Sequence, residues 1–210
     1  AVDRARDQYR ANRAKSDLFD AWVLANMLRK DHAHFSVLKP NSDQIAELKI
    51  LTRDYHNLVR QQTRLINQIK AELKEYYPRP LEVFGDLATP TCLDFLQIYP
   101  TPEAAEKLTW TRWQKFGKTH RMQPDQIKEG WDLLKAPLLP VPAHVVRARS
   151  NLVLVLVDQL RVTAKAVGEY KAQIETFFAS LPVAELTHNL PGGKSGVTIP
   201  TLFAEIGDAP

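Results

Sequence analysis

The chain has 210 residues, of which 44% are hydrophobic and 25% are charged, so it is long enough to bury a substantial core and is not expected to be disordered. Its net charge of +4 and isoelectric point of about 9.1 are compatible with nucleic-acid binding but do not require it. The single cysteine, Cys92, excludes an intrachain disulfide and suits a buried thiol in a reducing cytoplasm, and the longest apolar run, 152–157, is too short to span a membrane.

The first predicted elements are helical. Residues 2–13 are charged and compatible with a helix, and Ser16 is predicted to cap a second helix that carries Asp17 and Asp20 in its first turn. A linker is predicted around Pro40, where the helical pattern stops.

Residues 43–76 predict one unbroken helix of about 34 residues, which is about 50 Å long at about 1.5 Å per residue. Apolar residues recur at three- and four-residue spacing along it, which is typical of a coiled-coil seam. The seam consists of Leu48, Leu51, Tyr55, Leu58, Gln62, Leu65, Ile69 and Tyr76.

Between residues 78 and 142, prolines divide the sequence into short helices. The predicted helices are 91–99, 102–108, 110–120 and 124–135, and a stiff proline linker follows at 137–142. This region is predicted to form a small helical cap.

A second long helix is predicted from 143 to 181. The alternating run 152–157 alone would also suit a buried strand, but apolar residues on either side repeat every seven residues and favour a helix. Two interpretations of the long helices remain open. Their seams either pair with another copy of the chain, giving a dimer or higher oligomer, or pack on each other within one chain.

After Pro182 the sequence changes character. Residues 190–196 form a predicted turn, and 201–206 form a short apolar helix. Gly193-Lys194-Ser195 is reminiscent of a nucleotide-binding loop, but His188 stands where that loop requires glycine, and a helix precedes it where a strand is needed. The turn, including Gly192 and Lys194, is therefore either a simple connection or a contact for a DNA phosphate.

Asp17 and Asp20 are three residues apart and lie on one face of a helix. Two carboxylates at this spacing can share a hard divalent cation such as Mg²⁺. Acidic residues in a first helical turn are also favoured by the helix dipole alone, so the spacing leaves both readings open.

Residues 107–121 contain five basic residues and no acidic one, with aromatic residues among them. Cations that neutralise phosphates, next to rings that stack on bases, would suit a nucleic-acid contact through Arg112, Lys115, Lys118 and Arg121. The alternative is an amphipathic helix with Trp110, Trp113 and Phe116 in the core and the basic residues in water.

Several motifs, taken in order, resemble one family. Lys15-Ser16-Asp17-Leu18-Phe19-Asp20-Ala21 resembles the Lys-x-Asp-x-x-Asp-Ala motif of the insertion-sequence one-ten family of bacterial transposases, the DEDD transposases named for four acids of a RuvC-like nuclease domain. Further similar motifs are Val37-Leu38-Lys39-Pro40, Glu47-Leu48, Leu51-Thr52-Arg53, Tyr76-Tyr77-Pro78, Tyr99-Pro100-Thr101-Pro102, Leu190-Pro191-Gly192 and Ala204-Glu205-Ile206-Gly207-Asp208.

The resemblance implies a role for the two aspartates. Asp17 and Asp20 match the last two acids of the nuclease motif and are thereby implied metal ligands and catalytic residues, with Mg²⁺ as the implied cofactor. The first two acids are expected upstream of Ala1, and the nucleophilic serine of the family is expected downstream of Pro210. Gly193-Lys194 stand where the family has x-Gly after its Pro-Gly.

The sequence thus predicts an all-α fold: a long antiparallel helical hairpin or coiled coil with a small helical cap. The hairpin is flanked by the tail of a RuvC-like domain (1–36) and the start of a C-terminal transposase domain (183–210); the helical region spans 37–182, with its insert at 78–142. The expected function is that of a DNA transposase, acting on DNA as a homo-oligomer in the bacterial cytoplasm and nucleoid, guided in some members by a structured RNA. The alternative is a non-enzymatic helical adaptor that dimerises and binds nucleic acid.

Overall fold

A computed structural model describes residues 17–34, 41–187 and 196–207 of the chain. Every regular element in these ranges is helical, which confirms the predicted all-α class. The chain divides into two units, 1–42 with 208–210, and 43–207, which are described separately. No helix in the described ranges is both long and apolar enough to cross a membrane.

The first unit contains helix α1, Asp17–Asp31, followed by a 3₁₀ turn at His32–His34. Val23 and Asn26 are buried, while Leu18 and Trp22 are largely exposed. Phe19 stacks on Trp22, with ring centroids 5.8 Å apart. The predicted helix at 2–13, the Ser16 cap and the linker at Pro40 lie outside the described residues.

The second unit is built on two long helices. In chain order its helices are α2 (Asp43–Tyr76), α3 (Arg79–Val83), α4 (Pro90–Ile98), α5 (Pro102–Glu106), α6 (Trp110–Thr119), α7 (Pro124–Lys135), α8 (Ala143–Ala179), α9 (Val183–Thr187) and α10 (Thr198–Ile206). Helix α2 has the predicted bounds, and it contains neither proline nor glycine. Helix α8 ends two residues before the predicted 181.

The short helices of the insert begin where the sequence supplies a cap. Thr89, Thr101 and Thr109 each accept a hydrogen bond from a backbone N–H three residues on, at 3.2–3.4 Å. Pro90, Pro102 and Pro124 stand at the first helical position, where the missing N–H costs nothing. Helix α3 lies before the first helix predicted for the insert, at 91–99, and was not predicted.

Helices α2 and α8 pack on each other within the chain and run antiparallel. Leu65, Ile69 and Tyr76, in the second half of α2, share a core with Val146 and Val153 from the first half of α8. Arg149 also pairs with Glu72 and Glu75 across the two helices, at 2.9 and 2.7 Å. At the opposite end, the start of α2 and the end of α8 share a second core.

The core next to the insert, here called the apical cluster, is rich in aromatic residues. Phe95 is completely buried and its ring centroid lies 5.1–5.9 Å from those of Phe84, Trp113 and Phe116. Trp113 donates a hydrogen bond from Nε1 to the carbonyl oxygen of Ile127 at 2.6 Å, so its one polar atom is satisfied. Cys92 is buried in this cluster, which confirms the prediction of a core thiol. Burial raises the pKa of this thiol to about 12.

The core at the other end, here called the basal cluster, is smaller. Its buried members are Ile45, Leu48, Ile174, Phe178, Leu181, Val197, Ile199 and Ala204. At its edge, Arg53 donates two hydrogen bonds to Glu205 of α10, at 2.9 and 3.1 Å, and Lys49 lies 3.2 Å from the same carboxylate. These contacts fasten α10 to the start of α2.

Candidate functional site

The two candidate metal ligands lie in the first turn of α1. Asp17 is exposed and Asp20 is partly buried. Because α1 starts at Asp17, the two carboxylates are one turn apart and belong to the same side of the helix, as their spacing predicted.

The donor set of this turn fits a hard divalent cation. Both groups supply carboxylate oxygens, which Mg²⁺ and similar ions prefer, and such ions keep several waters when a protein provides few ligands. Within the described ranges, no group of three or more His, Cys, Asp or Glu side chains is placed to hold a metal. Asp17 and Asp20 are two carboxylates and do not make up such a group by themselves.

The structure places the aromatic residues of 107–121 in two different environments. Trp113 is completely buried, and Phe116 stacks on it at 5.6 Å and packs against the apical cluster. These two rings belong to the core, as the amphipathic interpretation predicts. Trp110 differs: it is 42% exposed at the first position of α6.

The basic residues of the same segment are all on the surface. Arg112, Lys115 and Lys118 are exposed on α6, and Arg121 is exposed in the turn that follows it. Arg121 has a backbone φ of 55°, in the left-handed region that side chains other than glycine seldom adopt. The core position of Trp113 orients α6 so that Arg112 and Lys115, on the opposite side of the helix, face solvent.

Two further residues beside this basic surface escaped the sequence analysis. Lys128 is exposed on α7, and Trp131 is half-buried one turn later on the same helix. Trp131 meets Trp110 edge to face, with ring centroids 5.5 Å apart. Lys128 and Trp131 are three residues apart, and this spacing already places them on one face of α7. Nothing in the sequence indicated that this face lies beside α6.

Gly192 and Lys194 were predicted to contact a phosphate in the turn 190–196. Both lie outside the described residues. The helix predicted at 201–206 begins earlier, at Thr198, and ends at Ile206 as expected.

Comparison with known proteins points to one family. Residues 1–78, which include Asp17, Asp20 and all of α2, match the transposase family model DEDD_Tnp_IS110. No solved structure matches the chain.

Three curated proteins are similar in sequence. A Streptomyces coelicolor protein named as the mini-circle transposase for IS117 is 30% identical over 217 residues, which cover 99% of this chain and 52% of that protein. The 43.6 kDa protein of insertion element IS110 from the same species is 26% identical, over 99% of this chain and 51% of its own length. A Sinorhizobium fredii protein named as transposase y4uE is 33% identical, over 58% of this chain and 34% of its own length.

The chain therefore spans about half the length of the two relatives that match it throughout. The matching family model includes both acidic residues that had suggested the resemblance. Together, the match to the family model and the two relatives that span the chain support an IS110-family transposase.

Proposed function

We propose that this chain forms part of a DNA transposase, in which Asp17 and Asp20 contribute to the Mg²⁺ site for strand cleavage and rejoining. The observation that carries the proposal is the position of the two carboxylates, one helical turn apart at the start of α1 and inside the region that matches the DEDD transposase model. The family has a divalent metal in general, and Mg²⁺ is the ion that carboxylate ligands of phosphodiester chemistry most often hold.

In this proposal Asp17 and Asp20 supply two of the metal ligands and do not complete the site by themselves. Bound in such a site, a divalent cation activates the attacking oxygen and stabilises the charge on the leaving oxygen of the phosphodiester. Asp17 and Asp20 would hold it with their oxygens, and the rigid first turn of α1 would fix the spacing of these oxygens. The four-acid motif has two further acids, which Asp17 and Asp20 do not supply.

The basic surface of α6 is proposed to contact nucleic acid. Arg112, Lys115, Lys118 and Arg121 are exposed along one segment with no acidic residue among them, so they can neutralise several phosphates. Such a contact positions a strand without reading its sequence. Gly192 and Lys194 are proposed as an additional phosphate contact, and a structured RNA remains a further proposed partner.

Oligomerisation is also proposed, but through a surface other than the predicted seam. Leu65, Ile69 and Tyr76 are buried against α8 of the same chain and are not available to a second copy. On α8, in contrast, Leu152, Val155 and Val162 are 41, 53 and 71% exposed, respectively. Their spacing places these residues along one side of the helix, which is the better candidate for contact between copies.

The test of the metal site is the double variant Asp17→Asn plus Asp20→Asn in the complete transposase. We expect transposition to be lost while circular dichroism and sedimentation are unchanged, because both side chains keep their size. Asp31→Asn, an acid at the far end of the same helix, is the matched control and should retain activity. Full activity of the double variant would contradict the proposal and favour the non-enzymatic adaptor.

Metal binding can be measured separately on this chain with terbium(III), a luminescent substitute for hard divalent cations. Trp22 lies two residues from Asp20 and would sensitise the emission of an ion held by the first turn of α1. We expect weak emission that disappears in the double variant and persists in Asp31→Asn. Equal emission from all three proteins would mean that the ion binds elsewhere.

A further inference from the structure

A groove runs along the surface between α6 and α7. Its volume is about 630 Å³, within the range of sites that hold small organic molecules. Its apolar walls come from Trp110, Met122, Pro124, Ile127 and Trp131, and its polar lining from Gln114, Lys118, Asp125, Lys128 and Asp132. It is therefore an open, largely apolar site edged by charges of both signs.

The aromatic wall of this groove is held in place by its neighbours. Trp131 lies beneath the ammonium group of Lys135, which is 4.9 Å from the ring centroid. That ammonium group also donates hydrogen bonds to the carbonyl oxygens of Ala105 and Glu106, at 3.1 and 2.8 Å. Trp110 rests edge to face on Trp131. The exposed ring of Trp110 is thus supported before any ligand arrives, which lowers the entropy cost of binding to it.

The groove is lined by two lysines, Lys118 and Lys128, and by two aspartates, Asp125 and Asp132. The segment 107–121, to which Lys118 belongs, contains five basic residues and no acidic one, so the excess of positive charge lies beside the groove. Lys118 and Lys128 stand on the two helices that form the groove, so both of its sides carry a cation. Asp125 and Asp132 supply acceptors, which suit the amino groups of bases better than they suit phosphates.

We propose that this groove binds an unpaired nucleotide of single-stranded DNA, with its base stacked on Trp110 and the adjacent phosphates at Lys118 and Lys128. The inference rests on the proposed function, because it takes DNA as the partner of the basic surface. A duplex does not suit the groove, since its base faces are covered by their neighbours, whereas a single strand offers a free face for each base.

The test compares three ligands of equal length: a labelled deoxythymidine oligonucleotide, the corresponding uridine RNA, and a DNA duplex. Binding is measured by fluorescence anisotropy for the natural chain and for Trp110→Ala, Trp110→Phe and Lys118→Gln plus Lys128→Gln. Leu139→Ala is the control, because this side chain is 89% exposed and lies outside the groove. Trp110 is not part of the buried core, so its replacement should leave folding intact, which circular dichroism would verify.

The expected result is that Trp110→Ala weakens single-stranded DNA binding by about 5- to 100-fold, the range that stacking of one base supplies, and leaves duplex binding within about twofold. Trp110→Phe should restore part of the affinity, because it retains a smaller ring. The double lysine variant should weaken both DNA ligands and reduce the dependence of binding on salt.

Three outcomes would overturn the inference in distinguishable ways. If the duplex and the single strand both bind and Trp110→Ala changes neither, the basic surface binds DNA but the groove does not hold a base. If RNA binds and single-stranded DNA does not, the groove takes a different strand from the one proposed. If none of the three ligands binds, the proposed nucleic-acid contact of α6 fails together with the groove.

Discussion

The two ends of the second unit differ in the size and composition of their buried cores. The apical cluster joins both long helices to the insert through a large aromatic core, in which Phe95 and Trp113 are completely buried. The basal cluster joins them to α10 with fewer buried residues and with an exposed ion pair between Arg53 and Glu205. Ion pairs occur at both ends, since Arg149 pairs with Glu72 and Glu75 on the apical side, so the main difference is the larger buried aromatic core of the apical end.

The difference indicates where the unit should open first. Buried apolar area is the main source of stability, whereas exposed ion pairs contribute little and are screened by salt. We therefore expect hydrogen exchange to be slowest in the backbone that surrounds the apical cluster and faster in α10. The following predictions test this contrast, beginning with the largest expected effect.

Trp113→Ala should cost about 3–5 kcal/mol of the free energy of unfolding, the usual range for truncation of a buried aromatic side chain. The change also leaves the carbonyl oxygen of Ile127 without its side-chain donor. Urea unfolding followed by circular dichroism would measure the loss. A cost near zero would mean that the aromatic core does not hold the apical end.

Ile69→Ala and Ile174→Ala form a matched pair, because both isoleucines are completely buried and each lies in one of the two clusters. Each should cost about 2–5 kcal/mol. The loss of unfolding free energy for Ile69→Ala should lie nearer the upper value, because the apical cluster surrounds this residue with fully buried neighbours. The smaller basal cluster is expected to relax around the cavity left by Ile174→Ala, which lowers its cost. Urea unfolding of both variants under one set of conditions provides the comparison, and a larger cost at Ile174 would reverse the contrast.

Gly130→Ala should destabilise the apical end by about 1–3 kcal/mol through overpacking. A Cβ at this position would lie 2.8 Å from Cζ2 of Trp113 and 3.3 Å from Cγ1 of Val83, both in the core region. Gly168→Ala in α8 is the control: nothing lies within 4 Å of its Cβ, so a gain of about 0.5–1 kcal/mol is expected in helix stability. Thermal unfolding of the two variants should therefore shift in opposite directions.

The smallest effect concerns Glu205 at the basal end. Its hydrogen bond with Arg53, and then that with Lys49, hold the pKa of this carboxyl below its ordinary value of 4.5. A lowered pKa in the folded state stabilises the protein at neutral pH, and this contribution disappears as the pH falls below about 4.5 through the folded value. The stability difference between the natural chain and Glu205→Gln should be small at pH 7, weaken with added salt and decrease steadily as the pH falls below 4.5. A difference that changes with neither pH nor salt would show that charge is not its source.

The long helices were predictable because their sequences contain strong local signals. The three- and four-residue spacing in 43–76, without an interrupting proline or glycine, predicted the bounds of α2. The seven-residue repeat around 152–157 correctly favoured a helix over a strand. In the insert, the prolines at the first helical position marked three starts to within one residue.

The surroundings of the candidate sites were not predictable in the same way, because they depend on distant contacts. Arg53 and Glu205 are 152 residues apart in sequence, and no local pattern links them. Likewise, the sequence could not decide which rings of 110–116 are buried, since the orientation of α6 is set by Phe84, Phe95 and Ile127, which lie outside α6. The spacing of Asp17 and Asp20 was a local property and was predicted directly.

The antiparallel course of α2 and α8 has a consequence for how the length of this unit can vary. The chain enters and leaves the unit at the basal end, and the insert stands at the other end of helices of 34 and 37 residues. Adding seven residues to each helix would preserve the buried faces, because the apolar pattern repeats at that interval, and would move the insert outward by about 10 Å. The lengths of the two helices therefore set the distance between the basal end and the groove between α6 and α7.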